Sequence, residues 1–147
     1  MRTTLFVPAA TLLVLVAAAV AACAPLRNPT ILAAKDCKGS GLCEVDVVAN
    51  GCSPIASHDP ILIDKRGGAK EVRWNAPAGY VFTTDGIKFS ASPVIDPHPG
   101  IQQAGQRWMV VVRPNGEAVR SKYRIQLKAT SLLGTICTGE DPFIVNE

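Results

Sequence analysis

The chain has 147 residues, with fifteen Lys and Arg against twelve Asp and Glu and a formal charge of +3. That length fits one domain of ordinary size and leaves no room for a second core. The basic residues are scattered singly, with no basic run interleaved with aromatics, which excludes nucleic acid from the expected partners.

The N-terminus carries the most specific signal. Arg2 precedes an apolar stretch, 5–20, which contains Pro8 and leads through small residues into Val20-Ala21-Ala22-Cys23. This is the order of a secretory signal. A cysteine at the junction is what the lipoprotein variant requires, because its thiol takes the diacylglycerol and its freed amine becomes the new N-terminus. A permanent transmembrane helix needs about 20 apolar residues; 4–22 approaches that length but is Ala-rich and lacks aromatic and basic flanks. Ordinary cleavage after Ala21 or Ala22 would leave Cys23 as a free thiol. The five cysteines, 23, 37, 43, 52 and 137, argue for lipidation, since acylating Cys23 leaves four for two disulfides in an oxidising compartment. The expectation is a signal peptide at 1–22, removed to leave 125 residues and, without Arg2, a charge of +2. Acyl chains at Cys23 then hold the protein to the cell envelope. In a host with two membranes, Ala24 rather than Asp after the cysteine directs it to the outer one, facing the periplasm.

The segment 23–36, with Pro25 and Pro29 and no periodicity, reads as a tether, and 37–147 as the domain. From Cys43 the hydrophobic period becomes two. Val45 and Val47 alternate with Glu44 and Asp46, Val72 and Trp74 with Glu71 and Arg73, and Tyr123, Ile125, Leu127 and Ala129 with Arg124, Gln126 and Lys128. Such alternation marks strands with one buried and one wet face. Shorter runs at 61–64, 80–82, 87–89, 108–113 and 143–146 raise the expected number to seven or eight. Turn signals fall at Lys38-Gly39-Ser40-Gly41, Arg66-Gly67-Gly68, Thr84-Asp85-Gly86 and Arg113-Pro114-Asn115-Gly116. No window has helical spacing with caps, and eleven prolines would interrupt one. The expected fold is all-β, a two-layer antiparallel β-sandwich. Trp74, Phe89 and Tyr123 are in phase with aliphatic neighbours and belong to its core. The run at 108–113 is apolar on both faces, as in a central or covered strand.

The order Cys43-x-Val45-x-Val47, Asp59-Pro60-x-Leu62, Val72-x-Trp74, Tyr80-x-Phe82, Gly86-Ile87-x-Phe89, Tyr123-x-Ile125-x-Leu127, Cys137 and Asp141-Pro142-x-Ile144-x-Asn146 resembles a group of small exported bacterial lipoproteins of unknown function. The similarity covers about 37–146 and rests on core motifs. It implies an immunoglobulin-like or cupredoxin-like domain and carries over no active site.

A cupredoxin-like fold raises the question of copper, whose blue sites use two His, one Cys and a weak axial Met. The residues after Cys137 contain neither His nor Met. His58 and His98 each lie beside an Asp-Pro pair, where solvated loop histidines are the expectation. Ser57, His58 and Asp59 are consecutive, and neighbours in an extended chain point different ways, so no catalytic relay is expected. Pro after Asp59, Asp96 and Asp141 explains those pairs as turns. Cys37, Cys43 and Cys52 lack zinc spacing. Among the three possible pairings, Cys37–Cys43 is expected because 38–41 can turn tightly, which leaves Cys52–Cys137.

The sequence therefore points to a noncatalytic binding or structural module without cofactor or metal. It is anchored to the membrane through its lipid and recognises an envelope protein or glycan through loops at one end. The alternative is a periplasmic copper-handling protein using His58, His98 and nearby carboxylates.

Overall fold

The computed structural model describes residues 32–39, 41–95, 101–103 (backbone only), 105–131, 133–139 and 142–147. Cys23, Asp96, His98 and Asp141 lie outside them. The described residues contain no helix, so none long and apolar enough to cross a membrane. They form eleven strands: β1 (Lys35–Asp36), β2 (Leu42–Asn50), β3 (Ser53–Ala56), β4 (Ile61–Ile63), β5 (Lys70–Asn75), β6 (Tyr80–Phe89), β7 (Ile101–Gln103), β8 (Arg107–Val112), β9 (Val119–Ala129), β10 (Ile136–Gly139) and β11 (Phe143–Asn146).

The strands make two sheets. In sheet I, β9 pairs with β6, β10 and β11, and β11 continues through β4 to β1. Gly139 stands opposite Ile125 and Phe143 opposite Lys122, so β10 and β11 follow one another along β9. Sheet II has the order β3-β2-β5-β8-β7. The expectation of a purely antiparallel sandwich is corrected here, because β1/β4, β4/β11 and β2/β5 are parallel. Alternation fixes which face of a strand is buried; it says nothing about the direction of the partner.

Facing side chains from the two sheets form the core. Val45, Val47, Val72, Trp74 and Val110 come from sheet II and Ile61, Ile63, Ile125, Leu127 and Ile144 from sheet I, all buried. Burying each such aliphatic side chain contributes about 1.5–3 kcal/mol. Across the layers, the Trp74 indole N–H donates to the Tyr123 hydroxyl at 3.3 Å, and their rings meet edge-on at 5.2 Å. Phe89 packs on both rings while remaining partly exposed. The expected core aromatics are thus in place. In β8, Trp108 and Val112 are buried, while Met109 and Val111 are half-buried on the other face.

The turn expected at Thr84-Asp85-Gly86 is instead a bulge inside β6. Phe82 opposes Leu127 and Ile87 opposes Ile125, so four residues of β6 are accommodated against Gln126 alone. Thr83 Oγ1 donates to Gln126 Oε1 at 2.6 Å and stabilises the extra residues. Gly86 is required because a β-carbon there would come within 2.7 Å of Phe82 and Trp108. Gly139 is equally constrained: any side chain would overlap the Pro54 carbonyl of β3, which closes the seam between the sheets.

The two ends of the sandwich differ in chemistry. At one lie 37–39, 64–69, 90–95, 113–118 and the C-terminus, with Lys38, Asp64, Lys65, Arg66, Arg113, Glu117 and Glu147. Backbone bonds Glu147 to Ile63, Lys65 to Glu147 and Gly116 to Lys65 tie it together. Lys38 donates to Glu147 at 2.9 Å, and this bond holds its ammonium above the usual lysine value. The described connections at the other end, 51–52, 76–79, 105–106, 130–131 and 133–135, contain no Asp, Glu, Lys, Arg or His. Tyr80 reaches the Gly51 carbonyl and Thr130 the Gly79 carbonyl, which places these connections side by side. Leu133 is 90% exposed there and Ile136 57%.

Candidate functional site

Both expected disulfides are formed. Lys38 N–H bonds the Asp36 carboxylate at 3.0 Å, turning the chain so that Cys37 and Cys43 meet with α-carbons 5.6 Å apart. Cys52, in the turn after β2, reaches Cys137 on β10 with α-carbons 4.7 Å apart. The second bridge spans 85 residues and joins the sheets at the uncharged end. The four domain cysteines are thereby consumed by one another, and Cys23 is the fifth.

The 57–60 connection carries sheet II into sheet I. Ser57 Oγ lies 2.9 Å from His58 Nδ1, so the expectation that these neighbouring side chains point apart is corrected: the bend at 57–60 turns them together. Asp59 does not complete a relay. Its carboxylate accepts the Phe143 N–H at 2.9 Å and so secures the start of β11, next to the cis Asp59-Pro60 bond. A serine–histidine hydrogen bond whose neighbouring carboxylate is committed to the backbone lacks the orienting third group of a nucleophilic triad. His98 lies outside the described residues, so its separation from His58 is not defined. Among the described residues, no three His, Cys, Asp or Glu side chains gather as a metal would need.

The register assembles a different constellation on the outer face of sheet I. Lys88 of β6 stands directly opposite Arg124 of β9, and the Ser90 N–H donates to the Lys122 carbonyl one step along. Like charges opposite each other across an antiparallel pair are unfavourable, and Lys122 adds a third cation to the same face of β9. Over them lies an open cavity of about 380 Å³, lined by Lys88, Phe89, Ser90, Lys122, Tyr123 and Arg124, within the size range of small-ligand sites. Arg120 completes the cationic stripe, its guanidinium 3.7 Å above the Phe143 ring. Ser90 adds a hydroxyl able to donate to an anionic oxygen.

Beneath this groove, burial pushes the Tyr123 phenol up, opposed by its hydrogen bond with Trp74 and assisted by the Asp59 charge. Alternation puts Arg124 and Lys128 on a wet face, but along the sequence the basic residues are scattered singly. The shift of register across the β6 bulge, which period two does not encode, brings Lys88 to Arg124.

No protein-family model matches the chain, and no curated protein matches it.

Proposed function

We propose that this chain is a noncatalytic cell-envelope lipoprotein, anchored through Cys23 and displaying its sandwich to an anionic partner. The observation that carries the anchor is the pairing Cys37–Cys43 and Cys52–Cys137. It leaves Cys23 outside the bridges at the end of a lipoprotein-type junction, and disulfides themselves belong to exported proteins. A single acyl chain binds membranes only marginally, so the anchor is the multiply acylated N-terminus of a mature lipoprotein.

The binding reading is supported by the groove over Lys88, Lys122 and Arg124, whose chemistry suits carboxylate or phosphate groups of an envelope glycan or protein. We read the sandwich as immunoglobulin-like or cupredoxin-like, supported by its two sheets, of six and five strands, around the Trp74–Tyr123 contact. Its mixed pairing leaves both types open.

Labelling with a fatty-acid analogue tests the anchor. The wild type is expected to be tagged and Cys23→Ser to remain untagged. Equal labelling of both, or of neither, contradicts the reading.

A further inference from the structure

We infer that the uncharged end of the sandwich is the surface that rests on the bilayer, with Leu133 as its inserting side chain. The inference rests on the lipid-anchor reading for the presence of a membrane close by, and it adds the face and the residue that touch it.

Composition supplies the first argument. The described connections at this end carry no ionisable side chain, whereas 37–39, 64–69 and 113–118 at the opposite end carry charge. A leucine at 90% exposure beside an isoleucine at 57% is apolar area left in water. Such area at a loop tip is the kind that membrane surfaces cover. Lys128 precedes the loop on the outer, wet face of β9 and, with Arg124 further back, stands where lipid phosphates would lie if the tip were inserted.

Chain direction supplies the second. Lys35 is level with Ile61, Ile144 and Ser121 across β1, β4, β11 and β9. Strands β1, β4 and β11 run together and opposite to β9, so the chain reaches β1 from the side on which β9 ends, the side of Leu133. Eight residues of β9 separate the level of Lys35 from Ala129, about 27 Å at the rise of a strand. The twelve residues 23–34 can span up to about 40 Å. Their length therefore lets the acyl chains and the Leu133 tip share one membrane, and tethering keeps the weak second contact at high effective concentration.

Both sheets, both bridges and the core lie within 32–147, so a chain spanning 24–147, exported behind a cleavable leader, is a complete folding unit without Cys23. Flotation with vesicles containing about one-third phosphatidylglycerol should recover it at low salt, and vesicles of phosphatidylcholine alone should not. Leu133→Ser should weaken flotation about tenfold, and Lys128→Glu should weaken it in a salt-dependent way. Lys65→Glu/Arg66→Glu, at the opposite end, should leave it unchanged. Nonreducing mass analysis and an unaltered melting temperature confirm that each variant is folded. Four results would overturn the inference: no flotation at low salt, flotation indifferent to Leu133→Ser, loss with Lys65→Glu/Arg66→Glu, or full competition by soluble polyphosphate with no dependence on Leu133. The last would identify a polyanion site. Because Cys23 is absent from this chain, the outcome is independent of the fatty-acid labelling.

Discussion

The charged end is held by a small covalent loop and by a network of backbone hydrogen bonds. The Cys37–Cys43 bridge closes a six-residue step, and backbone bonds link 63, 65, 116 and 147. The uncharged end is held by a bridge spanning 85 residues, by the contact of Gly139 with Pro54, and by two side-chain bonds to carbonyls. One end is fastened by backbone hydrogen bonds and wetted by its charges. The other depends on a distant covalent link and presents apolar side chains to its surroundings. Charge on a connection is thus no guide to how firmly that connection is held.

The bridges should separate the ends most strongly. In the chain-entropy account, Cys52→Ser/Cys137→Ser should cost about 4.5 kcal/mol and Cys37→Ser/Cys43→Ser about 2 kcal/mol. Urea unfolding of the two double variants measures both, and equal losses would remove the distinction drawn between the ends.

Next comes Asn146, fully buried, whose side-chain amide donates to the Glu117 carbonyl at 2.9 Å and fastens the 113–118 connection to β11. Asn146→Ala leaves that carbonyl unpaired and should cost about 2 kcal/mol. Hydrogen exchange should rise at 113–118 and not at 130–135. A uniform rise would mean that this bond does not act on the charged end alone.

Tyr123 lies between the ends, so its loss should affect them alike. Tyr123→Phe strands the Trp74 N–H and should cost about 1.5 kcal/mol. The phenol is raised by burial, so the folded state keeps its proton after the unfolded chain, near its ordinary value of about 10, has lost it. Stability from this group is therefore present below about pH 10 and is lost as pH rises towards the folded value. Melting curves between pH 8 and 11 should show this fall in the wild type and a shallower one in Tyr123→Phe.

The smallest effect is expected at His58, half-buried and bonded to its own neighbour Ser57. His58→Ala/His98→Ala should shift stability by less than about 0.5 kcal/mol, and neither copper nor chelator should move the wild-type melting temperature. A copper-dependent rise that the double variant loses would establish metal handling instead.

Much of this architecture was legible because period two is a local signal. Val45, Val47, Val72, Trp74, Ile125 and Leu127 could be assigned to the core one strand at a time. The disulfides followed from cysteine number and the 38–41 turn. The parallel pairing of β2 with β5 depends on which strands meet, which alternation does not encode. Asp85 and Gly86 carry the residue types of a turn, and only the packing of Gly86 on Trp108 distinguishes a bulge. The short strands β3 and β10 contain Pro54 and Gly139, residue types that interrupt a period-two signal, although both sit at the seam between the sheets. The groove was hidden for the same reason as the pairing: Lys88 and Arg124 are distant in sequence and adjacent only through register. Asp96, His98 and Asp141 lie outside the described residues.

The difference between the ends can be measured directly by hydrogen exchange of the full lipidated protein in phosphatidylglycerol-containing vesicles, compared with the free 24–147 chain. Protection confined to 76–79 and 130–136, with 64–69 and 113–118 unchanged, is the predicted result. Protection at 64–69 and 113–118, or no change at either end, would contradict the account.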